Sequence, residues 1–407
     1  MLLHQTDSAA PVHRRILVVA WFGWTAVFFA LISFFQLSLL YRTELGLDDN
    51  GVKAIKSLAL AMTGVGGLSL GLAADRFGRK RAMIFSIVIY ALATACASLA
   101  HSLQALEACA AIAGIGIGGQ WAAGQTLLCE TVPSRLRGQF GALAQTGAPI
   151  GIGLATLLAT QIAPATGWRA AFLIAATPIV LAGVIAVAVP ESDVWLEHRA
   201  NPKAGRSSSL ATLFGPGVRG VFAIAFVLTL FNMTNYWLTT SWLPEFLGRA
   251  WGLTIQKSGA WTLVFVAGSV SGYLLYGLAS DRWGRRRMFT LFSVIMAIGL
   301  AMITLTQDRI RTRPENILLA LFVTGLGTGT WSGFGPLFTE LFPTSARNTA
   351  AGVCMNVSRS AQFVAPLLVV AVGGAALGGG IALAVVFALL AGAWVWLLPE
   401  TRGRSIA

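Results

Sequence analysis

Twelve apolar runs divide this chain of 407 residues, at 16–41, 51–74, 83–101, 104–128, 139–163, 169–189, 219–243, 258–280, 288–306, 316–338, 348–372 and 377–398. A helix needs about 20 apolar residues to cross a hydrocarbon core of about 30 Å, and each run is near or above that length. Hydrocarbon offers no hydrogen-bond partners, so a crossing backbone must satisfy its own amides, as a helix does. The runs therefore predict an all-α membrane protein of twelve transmembrane helices. Charge is scarce: Lys, Arg, Asp and Glu make up 11% of the chain and the mean hydropathy is +0.73. Soluble domains carry about 25% charged residues, so a soluble enzyme and a disordered regulator are excluded. The net charge of +13 invites a polyanion partner. A nucleic-acid binder, however, has no use for apolar runs of this length.

Arg14 and Arg15 precede the first run, as in a secretory or twin-arginine signal. That run is too long for a signal core and eleven more follow, so it reads as a retained helix. Six runs lie on each side of 191–218, a polar stretch with Pro202, Gly205 and Ser207 to Ser209 that reads as a linker. The chain thus divides into a six-helix bundle at 1–190, a cytoplasmic linker at 191–218 and a second bundle at 219–407. Excess Lys and Arg mark the cytoplasmic side of a membrane. With the N-terminus inside, 19 of the 29 fall on the inner side and nine on the outer, including Arg309, Arg311 and Arg313. Both termini are then cytoplasmic, in a multi-pass protein of a bacterial inner membrane. Cys96, Cys109, Cys129 and Cys354 fall in the runs or at their ends and read as small packing residues.

The second half repeats the first at an offset of roughly 210 residues. Gly71-Leu-Ala-Ala-Asp75-Arg76-Phe-Gly78-Arg79-Lys80-Arg81 returns as Gly277-Leu-Ala-Ser-Asp281-Arg282-Trp-Gly284-Arg285-Arg286-Arg287. Gly114-Ile-Gly116 returns as Gly325-Leu-Gly327, each followed by a tryptophan, Trp121 or Trp331. Glu130 and Arg137 around Pro133 match Glu340 and Arg347 around Pro343, and Pro190-Glu191 matches Pro399-Glu400. Two pseudo-symmetric halves are a transporter architecture, with the substrate held near the midplane between them.

The Gly-x-x-x-Asp-Arg-x-Gly-Arg loops at Gly71 and Gly277 resemble the signature of the major facilitator superfamily. Pro190-Glu191-Ser192 followed by Trp195-Leu196, together with Pro399-Glu400-Thr401, resemble its sugar-porter-like branch. Gly118-Gly119-Gln120-Trp121, Gly167-Trp168-Arg169 and Trp242-Leu243-Pro244 resemble the bacterial organic-acid and sialate symporters of that branch. Those symporters usually carry Glu where Gln120 stands, and the aromatic-acid carriers an Asp-Gly-x-Asp motif in the first helix, where Trp21-Phe22-Gly23-Trp24 has no acid. The resemblance implies a conformational latch on the inner face. Its members are Gly71, Asp75, Arg76, Gly78, Arg79, Gly277, Asp281, Arg282, Gly284, Arg285, Glu130, Arg137, Glu340 and Arg347. Asp75 is implied to meet the start of the eleventh helix near Arg347, and by symmetry Asp281 the start of the fifth near Gly138. An anion is stabilised at a helix N-terminus, which is the physical sense of both contacts. The bland alternative for the basic residues is that they only set topology.

Depth follows from a rise of 1.5 Å per residue. Arg359 lies 12 residues beyond Arg347, about 18 Å from the inner boundary and near the midplane. A charge there costs at least ~2.5 kcal/mol and needs a partner. A substrate carboxylate held bidentately would serve; so would a tie to backbone carbonyls. Asn356 and Gln362 share its helical face. Gln120, about 15 Å deep, is either a substrate contact or an interhelical hydrogen bond, with Trp121 as a cavity wall. Asn232, Asn235 and Tyr236 form a polar-aromatic face in the seventh run, for substrate, outer gating or packing. Thr25 and Trp331 complete the candidate substrate-binding set.

None of the sixteen acids and none of the four histidines lies at mid-depth, where a proton relay would sit. That leaves uniport, exchange, or symport in which the proton rides on the substrate or uses a peripheral acid such as Glu107. No metalloprotease, nucleophile-elbow, metal-cluster or phosphate-loop motif is present, so neither an enzyme nor a metal or other cofactor is expected. The expected partners are a small anionic substrate, a coupled proton and the lipid bilayer, with no nucleic acid, for a monomeric secondary carrier. The alternative function is efflux of hydrophobic drugs, for which a wide aromatic cavity would suit but a buried arginine would not.

Overall fold

The computed structural model describes residues 11–201, 209–251, 255–305, 316–364 and 377–405, and within them the side chains outside 241–251, 255–262, 305, 316, 363–364 and 377–381. Arg309, Arg311 and Arg313, the linker residues Lys203 and Arg206, and the side chains of Trp242, Leu243 and Pro244 therefore lie outside what is described. Among the described residues the regular structure is helical, without strands.

Each apolar run falls on a helix over its described residues. The first four are α1 (Pro11–Gln36), α2 (Asp49–Phe77), α3 (Arg79–Ala97) and α4 (Leu103–Thr131). Next comes α5, made of Arg137–Gln145, Gly147–Leu157 and a π-helical turn at Leu158–Ile162. It runs on into α6, made of Ala163–Ala176 and Ile179–Ala188. Gly167, at φ 83, breaks the helix within Ala163–Ala176. The second half contains α7 (Arg219–Trp251), α8 (Ile255–Trp283) and α9 (Arg285–Leu305). It continues with α10 (Asn316–Gly327, a tighter turn at Thr328–Gly333, then Phe334–Leu341). Described α11 runs from Arg347–Gly352 through a π-helical turn at Val353–Val357 to Val364, and α12 covers Leu377–Trp394 and Val395–Leu397. Eight helical stretches among the described residues are long and apolar enough to cross a membrane by length and composition alone. Helix α4 is as long as these, but Gln120, Gln125 and its glycines dilute its apolar character. Ser102 and Asp48 cap the N-termini of α4 and α2 by accepting from Ala105 N and Gly51 N.

Small residues let these helices touch backbone to backbone, the usual means of packing where lipid is as apolar as the side chains. A methyl group on Gly66 would collide with the Ile115 carbonyl, one on Gly114 with that of Ala59, and one on Gly118 with that of Thr63. Helices α2 and α4 are therefore in direct contact. The second half repeats the device between α8 and α10, where Gly268 and Gly272 abut the Phe322 and Leu326 carbonyls and Gly325 that of Phe265. A third seam joins the halves. Gly64, Gly67 and Gly71 on α2 face Ser360, Gly352 and Asn348–Thr349 on α11. The Ser360 hydroxyl closes its upper end by donating to the Leu60 and Ala61 carbonyls. At the helix ends opposite the repeated loop, Glu44 on the short helix Ser38–Leu45 accepts from the Trp168 indole at 2.6 Å and pairs with Arg169. Arg169 also lies over the Trp168 ring. The guanidinium of Arg169 and the indole N–H of Trp168 hold the Glu44 carboxyl below its ordinary pKa.

Gly66→Ala should destabilise the protein by about 1–3 kcal/mol, the usual cost of overpacking, seen as a lower thermal midpoint in detergent. Gly153→Ala, where nothing lies within 4 Å of the added carbon, should leave the midpoint unchanged or raise it.

Candidate functional site

Two layers of polar residues stand out, one at the helix ends that carry the repeated loop, here called the inner layer, and one about halfway along the helices. The inner layer is built from the repeated loop. Gly78 and Gly284 turn the chain at φ 105 and φ 99, a left-handed region that disfavours any side chain. A carbon on either would also strike the carboxylate of Glu191 or Glu400. Those two carboxylates sit on the N-termini of α3 and α9. Glu191 accepts from the backbone N–H of Arg79 and Lys80, at 2.9 and 3.1 Å. Glu400 accepts from Arg285 and Arg286, at 2.9 and 3.2 Å. Burial works against ionisation of Glu400, yet the N–H groups of Arg285, Arg402, Arg286 and Thr401 hold its carboxyl below the usual range. The sequence repeat marked both Pro-Glu pairs without disclosing this capping role.

After the turn, the arginine side chains fold back into the protein. Arg79 is fully buried and its guanidinium takes both oxygens of Glu130, at 3.0 and 3.1 Å. Arg285 takes both oxygens of Glu340 in the same way, at 3.1 and 3.3 Å. Ser192 and Thr401, which follow the capping glutamates, donate their hydroxyls to Glu130 and Glu340. Each carboxylate also faces an arginine of the other half. Arg347 on α11 donates to Glu130 at 2.5 Å, whereas Arg137 on α5 is 3.8 Å from Glu340. Arg137 instead donates from Nε to the Cys129 carbonyl and from Nη1 to that of Arg404.

The aspartates of the loop reach across to helix starts. Asp75 accepts from Asn348 N, Thr349 N and the Thr349 hydroxyl, at 3.1, 2.9 and 2.6 Å. Asp281 accepts from Gly138 N and Gln139 N, at 3.1 and 3.0 Å. Trp195, buried on the helix Asp193–Ala200, donates to the Asp75 carbonyl. Arg76 and Arg282 depart from the latch expectation. Both are exposed, on the outer face of the last helical turn, and Arg76 lies over Phe77.

At mid-depth, Ala20, Trp24, Gln120, Trp121, Gly124 and Gln125 enclose a cavity of about 10 Å³, room for roughly one water. Arg359 on α11 lies over the Trp24 ring, 5.9 Å from its centroid, and donates to Asn356 Oδ1 at 3.1 Å. It is 4% exposed, and no carboxylate among the described residues pairs with it. Asn356 itself bridges to α4, donating to the Gly118 carbonyl at 2.8 Å. Trp121 donates to Gln145 Oε1 at 3.0 Å. Around the cavity, Trp24 Nε1, Gln120 Oε1 and Gln125 Oε1 are buried without a hydrogen-bond partner among the described residues. Such atoms are costly unless something fills the role. Tyr236 and Trp331 stack edge to face at 5.3 Å on the second half's side.

Several candidate residues are placed elsewhere. Thr25 bonds back to the Trp21 carbonyl and packs on Gly147 of α5; its neighbour Trp24 lines the cavity instead. Asn235 points to Met296 of α9 at 3.2 Å, Asn232 accepts from Thr330, and Gln362 ties to Thr234 and the Ser358 carbonyl. These three knit α11, α7, α9 and α10. The sequence reading missed Trp24, Gln125 and Gln145. Gln125 had a usable signal, since it lies one helical turn past Trp121 and on the same face.

The model of the Major Facilitator Superfamily matches this chain twice, at residues 15–228 and 225–406. A cis,cis-muconate transport protein of Acinetobacter baylyi is 30% identical over 85% of this chain and 83% of its own. The sialic acid transporter NanX of Escherichia coli is 27% identical over 89% of this chain and 88% of its own. Among solved structures, the proton:xylose symporter XylE bound to 6-bromo-6-deoxy-D-glucose superposes with a TM-score of 0.78. That match has 19% identity and covers 97% of this chain and 98% of the other.

Glu130→Gln should leave Arg79 and Arg347 buried against a neutral amide and cost about 3–5 kcal/mol, the price of breaking a buried pair. Arg76→Gln, on an exposed residue, should change the thermal midpoint little. Equal midpoints for the two variants would refute the central place given to Glu130.

Proposed function

The chain belongs to the Major Facilitator Superfamily, and we propose that it carries a small organic anion across the bacterial inner membrane by alternating access. Family and relatives make it a transporter and not an enzyme. One observation carries the choice of substrate: Arg359 is buried, and among the described residues only neutral groups stand beside it. A guanidinium binds a carboxylate through two parallel charge-assisted hydrogen bonds, and the cavity wall of Trp24 and Trp121 offers apolar surface for the rest of the molecule. Relatives named for muconate and sialic acid are compatible with that chemistry.

In this proposal residues 1–190 rock against 219–407 about the linker 191–218, with both termini in the cytoplasm. A single chain contains both halves and works as a monomer. Asp75, Asp281 and the Glu130–Arg347 and Glu340–Arg137 pairs latch the inner face, and Gly71, Gly78, Gly277 and Gly284 let the helices close. A coupled proton would travel on the substrate's own carboxyl or use a peripheral acid such as Glu107.

Arg359→Lys and Arg359→Gln should weaken binding of the best ligand from a thermal-shift screen of mono- and dicarboxylates, aromatic acids and sugar acids. A lost charge-assisted contact is worth about 1.5–3 kcal/mol, or roughly 10- to 100-fold in dissociation constant by titration calorimetry. A hydrophobic-drug exporter would keep its activity in both variants, and unchanged affinity would refute the reading. Asp75→Asn should insert normally yet slow initial uptake, because an amide holds the N-terminus of α11 less strongly than a carboxylate. Normal uptake by that variant would refute the latch.

A further inference from the structure

We propose that Gln125 ties the occupancy of the cavity to closure of the inner face: a hydroxyl donor in the cavity, from a bound water or from the ligand, aims its carboxamide into a gap at Gly335 of the other half. The proposal rests on the alternating-access reading and not on Arg359. Gln125 belongs to two places at once. It is 5% exposed and lines the cavity beside Trp24 and Gln120, within the first half. Its carboxamide also reaches α10 of the second half. A methyl group on Gly335 would stand 2.6 Å from Gln125 Oε1 and 3.2 Å from its Cδ, so glycine makes the gap that the carboxamide fills. Gly141 on α5 is the other wall. Gln125 Nε2 donates to its carbonyl at 3.5 Å, and a methyl group there would meet Pro336 of α10 at 3.1 Å.

Gln125 and Gly335 are 210 residues apart, the offset that also relates Trp121 to Trp331 and Glu130 to Glu340. A residue that touches its own image stands at the axis relating the halves. Gln125 precedes Glu130 by five residues, about 7.5 Å along the helix, so the contact stands between the cavity and the inner layer. Beside it, Trp121 meets Phe338 of α10 edge to face at 6.3 Å. Opening the inner face withdraws Gly335 from the carboxamide. Three buried atoms set what the cavity takes. Trp24 Nε1 is a donor, Gln120 Oε1 and Gln125 Oε1 are acceptors, and none has a partner among the described residues. Their complement is an oxygen that accepts one hydrogen bond and donates to a carboxamide, which is a water or a hydroxyl. About 10 Å³ holds one such oxygen. Bonded to it, Gln125 is fixed with its amide at Gly141 and its oxygen at Gly335. Without a donor that oxygen is buried unpaired, at a cost that opening to water relieves. A donor in the cavity thus favours the closed inner face over the open one.

The test follows hydrogen–deuterium exchange, by mass spectrometry on the full chain in nanodiscs, at the Asn348 and Thr349 amides. These bond to Asp75 across the halves and exchange when the inner face opens. Gly335→Ala sets its new carbon against the movable end of a side chain, so the variant folds with the carboxamide turned away. It should raise the exchange rate at least about 3-fold. Trp24→Phe, which keeps an aromatic ring and removes the indole donor, should raise it as well. In a Gln125→Ala background neither change should have a further effect. An unchanged rate in Gly335→Ala or in Trp24→Phe, or an equal rise without Gln125, would overturn the proposal. Benzoate and 3-hydroxybenzoate separate the sources of the donor: a rate lowered by the hydroxy acid alone assigns it to the ligand, and equal rates assign it to water. Failure of the underlying reading has a different signature. In that case Asp281→Asn, which loosens the start of α5, would also leave the Asn348 and Thr349 amides unchanged.

Discussion

A single buried carboxylate, that of Glu130, binds both halves of this protein at once. It takes the two-pronged guanidinium of Arg79 from its own half, the guanidinium of Arg347 from the other, and the hydroxyl of Ser192 from the segment after α6. Burying an ion costs several kcal/mol, and the cost is offset only by close, well-directed partners. Glu130 has them while the inner face is closed. Parting the halves would remove Arg347 but leave Arg79, so the carboxylate would keep one cation in either arrangement. Arg347 in turn bonds to the Phe342 carbonyl and would leave with a partner of its own. Such a joint would leave each charge with a partner in either arrangement, as the proposed latch requires.

The second half copies the joint with a difference. Arg285 and Thr401 hold Glu340 much as Arg79 and Ser192 hold Glu130. The arginine from across the interface, Arg137, stands 3.8 Å away and is held by two backbone carbonyls. Glycine follows the same asymmetry. The α2–α11 contact has Gly64, Gly67 and Gly71 in register, whereas the matching α5–α8 contact is tight at Gly138 and Gly277. The inner face is thus more firmly closed along α2 and α11 than along its pseudo-symmetric counterpart.

How far this was legible in the sequence depended on which physical signal each residue carries. Hydropathy located the helices because a bilayer demands long apolar segments. The family resemblance implied the partner of Asp75, and the repeat then located that of Asp281, since one contact implies its image. Direction within a helix turn was harder to read. Thr25 and Trp24 are adjacent and point about 100° apart, so the more polar residue attracted the assignment while the indole lines the cavity. Arg76 and Arg79 lie in one motif, but Gly78 reverses the chain between them, leaving one exposed and the other buried. Contacts between distant segments, such as Glu191 on the start of α3, leave no periodic trace at all.

The mid-depth layer obeys the opposite rule from the inner one. There Glu130, Glu340 and Asp281 each have a cation, whereas no carboxylate among the described residues pairs with Arg359. The first half contributes neutral groups to this layer: the Trp24 and Trp121 rings and the unpartnered oxygens of Gln120 and Gln125. Charge therefore comes from one half and shape with hydrogen-bond acceptors from the other. A carboxylate on Arg359 would satisfy the charge whatever it is attached to, so Arg359 alone distinguishes anions poorly from one another. In the proposed reading, discrimination among acids would fall to the α1 and α4 side, where a buried acceptor left without a donor penalises a ligand that cannot fill it. Because these two contributions come from opposite halves, a ligand held as proposed would meet both only when the halves are together, which would tie recognition of the substrate to closure around it.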